Sequence, residues 1–244
     1  MSAASEFLRS TAKSVAPETT RYLAEFRYLW RETASLRREL DKAPFESAVA
    51  SVLAHPGFRA EQIPSEILEL LRTLQALKPV RVCEIGARRG GTLALFALAA
   101  APNARILSMD IAFSHARTLL NPRLGRPTQT VACWKADSHD PSLPSKVSAW
   151  FGDKLDFLFI DGDHSYDGVR MDYERFSPMV RAGGLIAFHD ISPDSLTRGH
   201  GKSASDSGGV PRFWAELKQQ NPQAIDVIDD PLQDGFGLGL ITVN

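Results

Sequence analysis

Short apolar runs that alternate with longer helical segments constrain this chain more than any other feature. The runs lie at residues 80–85, 105–109, 128–134, 155–160 and 184–188. They are mostly apolar rather than alternating, as strands buried on both faces are, and most are separated by enough residues for a helix. The pattern predicts a mostly parallel sheet with helices on both sides.

Two further apolar runs lie near the C-terminus, at residues 224–228 and 236–243, with only a short turn region between them. Runs this close together indicate a hairpin of antiparallel strands, because a parallel connection needs a long crossover. The complete pattern predicts an α/β fold: a doubly wound, mostly parallel seven-stranded sheet with an antiparallel C-terminal hairpin strand.

The N-terminal part has a different pattern. Apolar residues recur at three- and four-residue intervals from about residue 6 to 53, which indicates helices. Another helical pattern, at about 64–77, leads into the first strand. We divide the chain into an N-terminal helical appendage, residues 1–60, and a main domain, residues 61–244. The appendage could cover an active site, join copies into a homo-oligomer or simply pack on the domain.

The charge of the chain argues against nucleic acid as a partner. The formal net charge is -1, so no overall positive field exists to hold a polyanionic backbone or an anionic membrane. Arginines between residues 21 and 38 could form a basic stripe. Glu25, Glu32 and Glu39 interleave with them, however, which is typical of a solvated helix face.

Cysteine content and apolar run length bear on the compartment. Cys83 and Cys133 both lie in apolar runs, where a free cysteine packs as a small hydrophobe. Two such cysteines build no disulfide framework. The N-terminal residues lack the pattern of a signal peptide, and no run approaches the ~20 apolar residues of a membrane span. We expect a cytoplasmic protein without a membrane span.

The turn after the first strand, EIGARRGGT at residues 84–92, carries glycines that let the backbone approach a ligand closely. The turn lacks the G-x-G-x-x-G spacing of dinucleotide enzymes and the G-K-S/T ending of a phosphate-binding loop. These glycines indicate a bound cofactor of another kind, or only a tight strand-to-helix turn.

The spacing E-x-G-x-x-x-G-x-T resembles the first motif of the Rossmann-like class I S-adenosylmethionine-dependent methyltransferases. The resemblance implies that Glu84, Gly86, Gly90 and Thr92 bind S-adenosylmethionine.

Polar residues at the next two strand ends extend the resemblance. Asp110 ends the second strand, where the family places an acid on the ribose hydroxyls. Asp137 and Ser138 follow the third strand, where a polar side chain commonly lies near the adenine amino group. A helix N-cap or a solvated loop position would explain each of these residues equally well when it is taken alone.

The most specific segment, residues 155–191, resembles the subfamily of macrolide sugar O-methyltransferases and proteins labelled cephalosporin hydroxylase. The resemblance extends over about residues 62–244. It implies methylation of a hydroxyl group on a small molecule or sugar.

Asp161 and Asp190 end successive strands at the carboxyl edge of the sheet, where open α/β folds bind ligands. In metal-dependent relatives this edge holds Mg²⁺, and the resemblance implies a metal site at Asp161, His189 and Asp190. His189 stands at a position that is often acidic in those relatives. An imidazole suits zinc, iron, manganese or no metal, so Asp161 could instead contact the cofactor and His189 could be a packed side chain.

His164 lies three residues after Asp161, in the sequence DGDHSY. A hydroxyl that attacks a sulfonium methyl group must lose its proton, and imidazole, with a pKa near ~6.5, can accept it. By resemblance, His164 is the general base. An N-cap of the helix that begins near Tyr166 is the alternative.

Two other functions fit parts of the pattern. Asp161, His189 and Asp190 could hold the metal of an oxygenase or hydrolase on the same fold. The fold could also serve as a non-catalytic cofactor-binding module that uses its N-terminal helices for partners.

Overall fold

The computed structural model describes residues 17–199, 201–203 and 205–244. Its helices are α1 (Pro17–Leu40), α2 (Phe45–Ala54), α3 (Pro64–Leu77), α4 (Gly91–Ala99), α5 (His115–Leu120), α6 (Leu143–Phe151), α7 (Tyr166–Phe176) and α8 (Val210–Gln220). Its strands are β1 (Arg81–Ile85), β2 (Arg105–Asp110), β3 (Thr130–Lys135), β4 (Leu155–Ile160), β5 (Val180–His189), β6 (Ile225–Val227) and β7 (Leu238–Thr242). Short 3₁₀ turns follow α5 and α7.

The strands form one sheet in the order β3-β2-β1-β4-β5-β7-β6. Neighbouring strands from β3 to β5 are parallel, and β7 is antiparallel to both β5 and β6. The predicted α/β fold and its C-terminal hairpin are confirmed. Strand order runs outward in both directions from β1 and β4, so the crevice for a ligand lies where these two strands end.

Helices cover both faces of the sheet. On one face, α1 to α5 share a hydrophobic cluster with the sheet, and α1 and α2 contribute fully buried side chains such as Leu29 and Val52. On the other face, α6, α7 and α8 pack in a second cluster. Cys83 and Cys133 are buried in these clusters, and burial raises the pKa of both thiols. No helix among the described residues is long and apolar enough to cross a membrane.

The predicted N-terminal helical segment forms two helices, α1 and α2, in the part that the structure describes, and residues 6–16 of the prediction lie outside it. Pro44 stands just before α2 in an extended conformation (φ -54°, ψ 152°). Proline disfavours helical geometry in the residue before it, so the helix ends ahead of this position. The division at residue 60 stays a prediction.

Polar contacts anchor the N-terminal helices to the main domain beside the glycine turn. Arg37 of α1 donates to the carbonyl of Leu124 at 2.9 Å. Arg117 of α5 donates to the carbonyls of Arg89, at 2.7 Å, and of Gly57, at 3.4 Å. These bonds hold the segment that leads into α3 against the turn after β1.

Candidate cofactor and catalytic site

A cavity of about 980 Å³ lies at the carboxyl edge of the sheet, where strands β1 to β5 end. This volume is at the upper end of the range for small-molecule sites. The predicted site residues in its wall are Gly86, Thr92, Asp110, Asp137, Ser138, Asp161, His164, His189 and Asp190. The structure therefore brings most of the predicted residues into one cavity. Glu84 and Gly90 lie outside its lining.

The glycine turn needs its glycines for close approach and for backbone conformation. Gly86 has a φ of +83°, and a Cβ there would lie 1.8 Å from the carbonyl oxygen of Asp161. Gly90 has a φ of +88°, and its Cβ would lie 2.5 Å from Nδ2 of Asn121. Such φ values favour glycine. The backbone at the start of the turn thus faces the cavity without a side chain in between.

Asp110 ties the end of β2 to this turn. Its Oδ2 accepts hydrogen bonds from the amides of Ala87, at 3.0 Å, and Arg88, at 2.5 Å, and its Oδ1 accepts one from Ala112 at 2.6 Å. A carboxylate has about four acceptor positions. Asp110 can therefore shape the turn and still accept from a ligand hydroxyl.

Glu84 is fully buried beneath the turn rather than in the cavity wall. Ser108 donates to its carboxylate at 2.5 Å. Burial raises the pKa of Glu84 to about 8, against the lowering effect of hydrogen bonds from Ser108 and Thr92. Much of this side chain is protonated at neutral pH, and it supports the turn from behind.

The turn after β3 presents Asp137 and Ser138 to the cavity. Asp137 is exposed, and its Oδ1 accepts from the amide of His139 at 2.9 Å. His139 also lines the cavity. Its Nε2 lies 3.5 Å from the carboxylate of Asp172, a buried residue of α7. The sequence patterns singled out neither His139 nor Asp172, and the position directly after Asp137 and Ser138 was the one available signal for His139.

Two histidines and two aspartates meet where β4 and β5 end. Nδ1 of His189 lies 3.1 Å from Asp161 and 3.3 Å from Asp190. Nε2 of His164 lies 3.4 Å from Asp161, and its Nδ1 lies 3.6 Å from Asp190. Each imidazole therefore contacts both carboxylates.

These contacts shift the pKa values strongly. Burial alone would raise the pKa of Asp161, but the positive charge of His189 and hydrogen bonds from both histidines hold it at about 2. The hydrogen bond with Asp161 raises the pKa of His164 to about 9, against burial. For His189 the two carboxylates likewise outweigh burial and raise the pKa well above its ordinary value. Beside these carboxylates, each imidazole therefore holds a proton more strongly than a free imidazole does.

Backbone contacts fix the ring of His164. Its Nδ1 hydrogen-bonds the carbonyl of Asp206, and its own carbonyl accepts from the amide of Gly209 at 2.7 Å. A Cβ on Gly208 would lie 2.3 Å from that carbonyl oxygen, so the loop needs a glycine to pass this close. A proton kept on Nδ1 for the Asp206 carbonyl leaves Nε2 as the atom that can accept another proton.

The cluster can hold a divalent cation. Ligand atoms of Asp161, His164 and Asp190 all lie within 4.8 Å of one another. Two carboxylates together with water molecules are suitable ligands for Mg²⁺. The imidazole makes Mn²⁺, Fe²⁺ and Zn²⁺ suitable ions as well. Nε2 of His189 is buried and has no hydrogen-bond partner among the described residues. Its Nδ1 lies next to both carboxylates, but the group of converging ligand atoms contains His164 and not His189, so the metal site at Asp161, His189 and Asp190 stays a prediction.

Comparison with known proteins shows which family this region resembles. Residues 83–191, from β1 to just beyond β5, match the family model of a methyltransferase domain, Methyltransf_24. The match covers less than half of the chain but includes all the strand ends that line the cavity. The predicted resemblance to methyltransferases is confirmed for this region. An uncharacterized protein of Sinorhizobium fredii, y4gI, is 32% identical over 84 residues, which are 34% of this chain and 8% of that protein.

Solved O-methyltransferases share the fold at low sequence identity. An O-methyltransferase from Bacillus cereus, solved with SAH (S-adenosylhomocysteine), is 17% identical with a TM-score of 0.55, over 82% of this chain and 91% of that one. TomG from Streptomyces achromogenes, solved with SAM (S-adenosylmethionine), is 18% identical with a TM-score of 0.52 and the same coverage. MycE of mycinamycin biosynthesis, solved with Mg, SAH and mycinamycin VI, is 18% identical with a TM-score of 0.55, over 83% of this chain and 54% of that one.

Proposed function

We propose that this protein transfers the methyl group of S-adenosylmethionine to a hydroxyl oxygen of a small molecule or sugar. The observation that carries the proposal is the position of His164 in the same cavity as the glycine turn and Asp110. The methyltransferase-domain match and the fold shared with SAM- and SAH-bound O-methyltransferases support it.

The cofactor would lie across the strand ends. The turn at Gly86 would pass close to the methionyl and ribose parts, because it offers backbone without side chains. Asp110 would accept from the ribose hydroxyls, and the turn at Asp137 and Ser138 would contact the adenine ring. This order leaves the cavity near β4 and β5 for the acceptor.

His164 would act as the general base. As the acceptor oxygen forms its bond to the methyl carbon, the carbon–sulfur bond breaks, its electron pair stays on sulfur, and the hydroxyl proton passes to Nε2. The base must be neutral, although the carboxylates raise its pKa to about 9. The positive sulfonium of the bound cofactor opposes protonation of His164, because like charges disfavour each other. A divalent cation on Asp161 and Asp190 would add Lewis acidity toward the acceptor oxygen.

The first test is calorimetric titration with S-adenosylmethionine and S-adenosylhomocysteine, each with and without Mg²⁺. We expect wild type to bind both nucleosides and Asp110→Ala to bind at least about tenfold more weakly, since it loses charge-assisted hydrogen bonds. Asp153→Ala is the matched control, because Asp153 lies just before β4, at the opposite edge of the sheet, and pairs with Arg81 at 3.0 Å. If wild type bound neither nucleoside, the proposed function would be refuted and only the description of the fold would stand.

The second test separates binding from chemistry. His164→Ala should retain S-adenosylhomocysteine binding and lower methyl transfer by ~10²-fold or more, as loss of a general base does. His115→Ala, an exposed histidine of α5 stacked on Tyr22, is the control. Unchanged turnover in His164→Ala would refute the base assignment.

The cluster of Asp161, His164 and Asp190 supports a second candidate, a metal-dependent oxygenase or hydrolase. Elemental analysis of the purified protein distinguishes the two. A bound redox metal together with no affinity for S-adenosylmethionine would favour this candidate.

A further inference from the structure

A buried carboxylate without a hydrogen-bond partner lies behind the cavity wall. Asp172 of α7 is fully buried, and neither of its carboxylate oxygens has a hydrogen bond among the described residues. A Cβ on Gly162 would lie 3.1 Å from its Oδ2, so the carboxylate touches the backbone that follows β4. Burial of a carboxylate without hydrogen bonds costs free energy, so its presence here calls for an explanation.

His139 connects this carboxylate to the cavity. Its Nε2 is buried and lies 3.5 Å from Oδ1 of Asp172. The side chain as a whole is 27% exposed, and the residue lines the cavity. A carboxylate beside one ring nitrogen favours the tautomer that carries the proton there. Nδ1 is then left as a hydrogen-bond acceptor for a ligand.

The surroundings of His139 suit a flat, partly apolar ring. Met109 pairs in register with Trp134 near the ends of β2 and β3, and Ile111 and Ala136, which directly follow these strands, both line the cavity. Ile111 is 65% exposed although it is a large apolar side chain. An apolar face next to a fixed acceptor is what recognises an aminated heteroaromatic base.

We propose that His139, positioned by Asp172, recognises the exocyclic amino group of the purine of the cofactor. This inference rests on the proposed function for the identity of the cofactor, and goes beyond it by naming the residue that distinguishes amino from oxo purines. Asp137 is the competing contact. One of its oxygens accepts from the amide of His139, and its side chain is exposed.

The test compares S-adenosylhomocysteine with its deaminated analogue, S-inosylhomocysteine, by calorimetry. The analogue has an oxo group in place of the amino donor, so Nδ1 of His139 would face an acceptor. We expect wild type to prefer S-adenosylhomocysteine by at least about tenfold, since an unmatched polar pair is costly. His139→Ala should reduce the preference to less than about threefold.

Further variants separate positioning from folding. Asp172→Asn should also reduce the preference for S-adenosylhomocysteine over its deaminated analogue. An amide can either donate a hydrogen bond to Nε2 of His139 or accept one from it, so it no longer favours one tautomer of the ring. Asp167→Asn, on the same helix and 80% exposed, is its control and should keep the wild-type preference. His139→Gln keeps a polar side chain for the case that His139→Ala folds poorly, and it should bind both analogues with similar affinity.

The outcomes of this test are distinct. If wild type binds neither nucleoside, the proposed function fails and this inference fails with it. If wild type binds S-adenosylhomocysteine but His139→Ala and His139→Gln keep the full preference, only the assignment of His139 is overturned. Loss of the preference in Asp137→Ala alone would assign the recognition to Asp137 instead.

Discussion

Substitution of Asp172 by asparagine is expected to stabilise the folded protein at neutral and alkaline pH. Burial raises the pKa of this carboxyl from 3.8 to about 6, and the nearby Ser138 and His139 offset burial only in part. An acid whose pKa is higher in the folded state favours folding when protonated, and that contribution is lost as pH rises through the folded pKa. Asparagine has nearly the same shape and no charge to bury.

The size of the effect follows from the shift in pKa. A shift of roughly two units corresponds to about 3 kcal/mol at full ionisation, near pH 8. The difference between Asp172→Asn and wild type should fall to roughly half of that near pH 5 and disappear below about pH 4. For a chain of this length, about 3 kcal/mol corresponds to roughly 6 to 12 °C in Tm.

The assay is urea unfolding of wild type, Asp172→Asn and the control Asp167→Asn, followed by circular dichroism from pH 5 to pH 8. Other groups titrate alike in all three proteins, so the difference in free energy of unfolding isolates Asp172. Equal stability of Asp172→Asn and wild type at pH 8, or a loss at every pH, would show that the carboxylate is compensated within the fold. Greater stability together with weaker purine discrimination would show that the charge is kept for binding.

Three more predictions follow from the site. Gly86→Ala should abolish S-adenosylhomocysteine binding or folding, because its Cβ would overlap the Asp161 carbonyl. The control Gly152→Ala, with φ +72° and nothing within 4 Å of the added Cβ, should lower the free energy of unfolding in urea by only about 1–2 kcal/mol. Equal effects of the two substitutions would contradict the argument from crowding. His189→Glu supplies a third carboxylate and should raise affinity for Mg²⁺ at least about tenfold by calorimetry, and unchanged affinity would remove His189 from the metal cluster. Glu84→Gln should match wild type in thermal stability below about pH 4, gain on it as the pH rises toward the folded pKa of about 8, and keep the full difference above that pH; lower stability at pH 9 would mean that the charged form is stabilised in the fold.

The sequence best predicted the elements that have a regular apolar pattern and clear ends. Residues 155–160 and 64–77 match β4 and α3 residue for residue, because the first is a nearly continuous apolar run and the second repeats its apolar residues at helical spacing. The predicted start of β5 at residue 184 was late. The strand begins at Val180 with the partly exposed Arg181–Gly183, and its pairing with β4 shifts register between Leu155 and Phe157.

The site was predictable where it depends on strand ends. Any residue directly after a parallel strand reaches the same edge of the sheet, and this rule brought Asp110, Asp161 and Asp190 to the cavity. His139 and Asp172 meet across a loop and a helix that lie far apart in sequence. No spacing rule links them, because the contact depends on how α7 packs against the sheet.

The two histidine–aspartate pairs are built differently, and the difference indicates different tasks. Between His164 and Asp161, mutual attraction outweighs burial, so the histidine pKa rises to about 9 and that of the aspartate falls to about 2. Charge arriving nearby, such as a sulfonium or a metal ion, changes the proton affinity of His164, as a proton-transfer site requires. At Asp172, burial dominates and the carboxyl pKa rises to about 6. A carboxylate that lies behind the cavity wall and whose pKa is governed by burial holds one tautomer of His139 in place, which suits a fixed hydrogen bond to a purine rather than proton transfer.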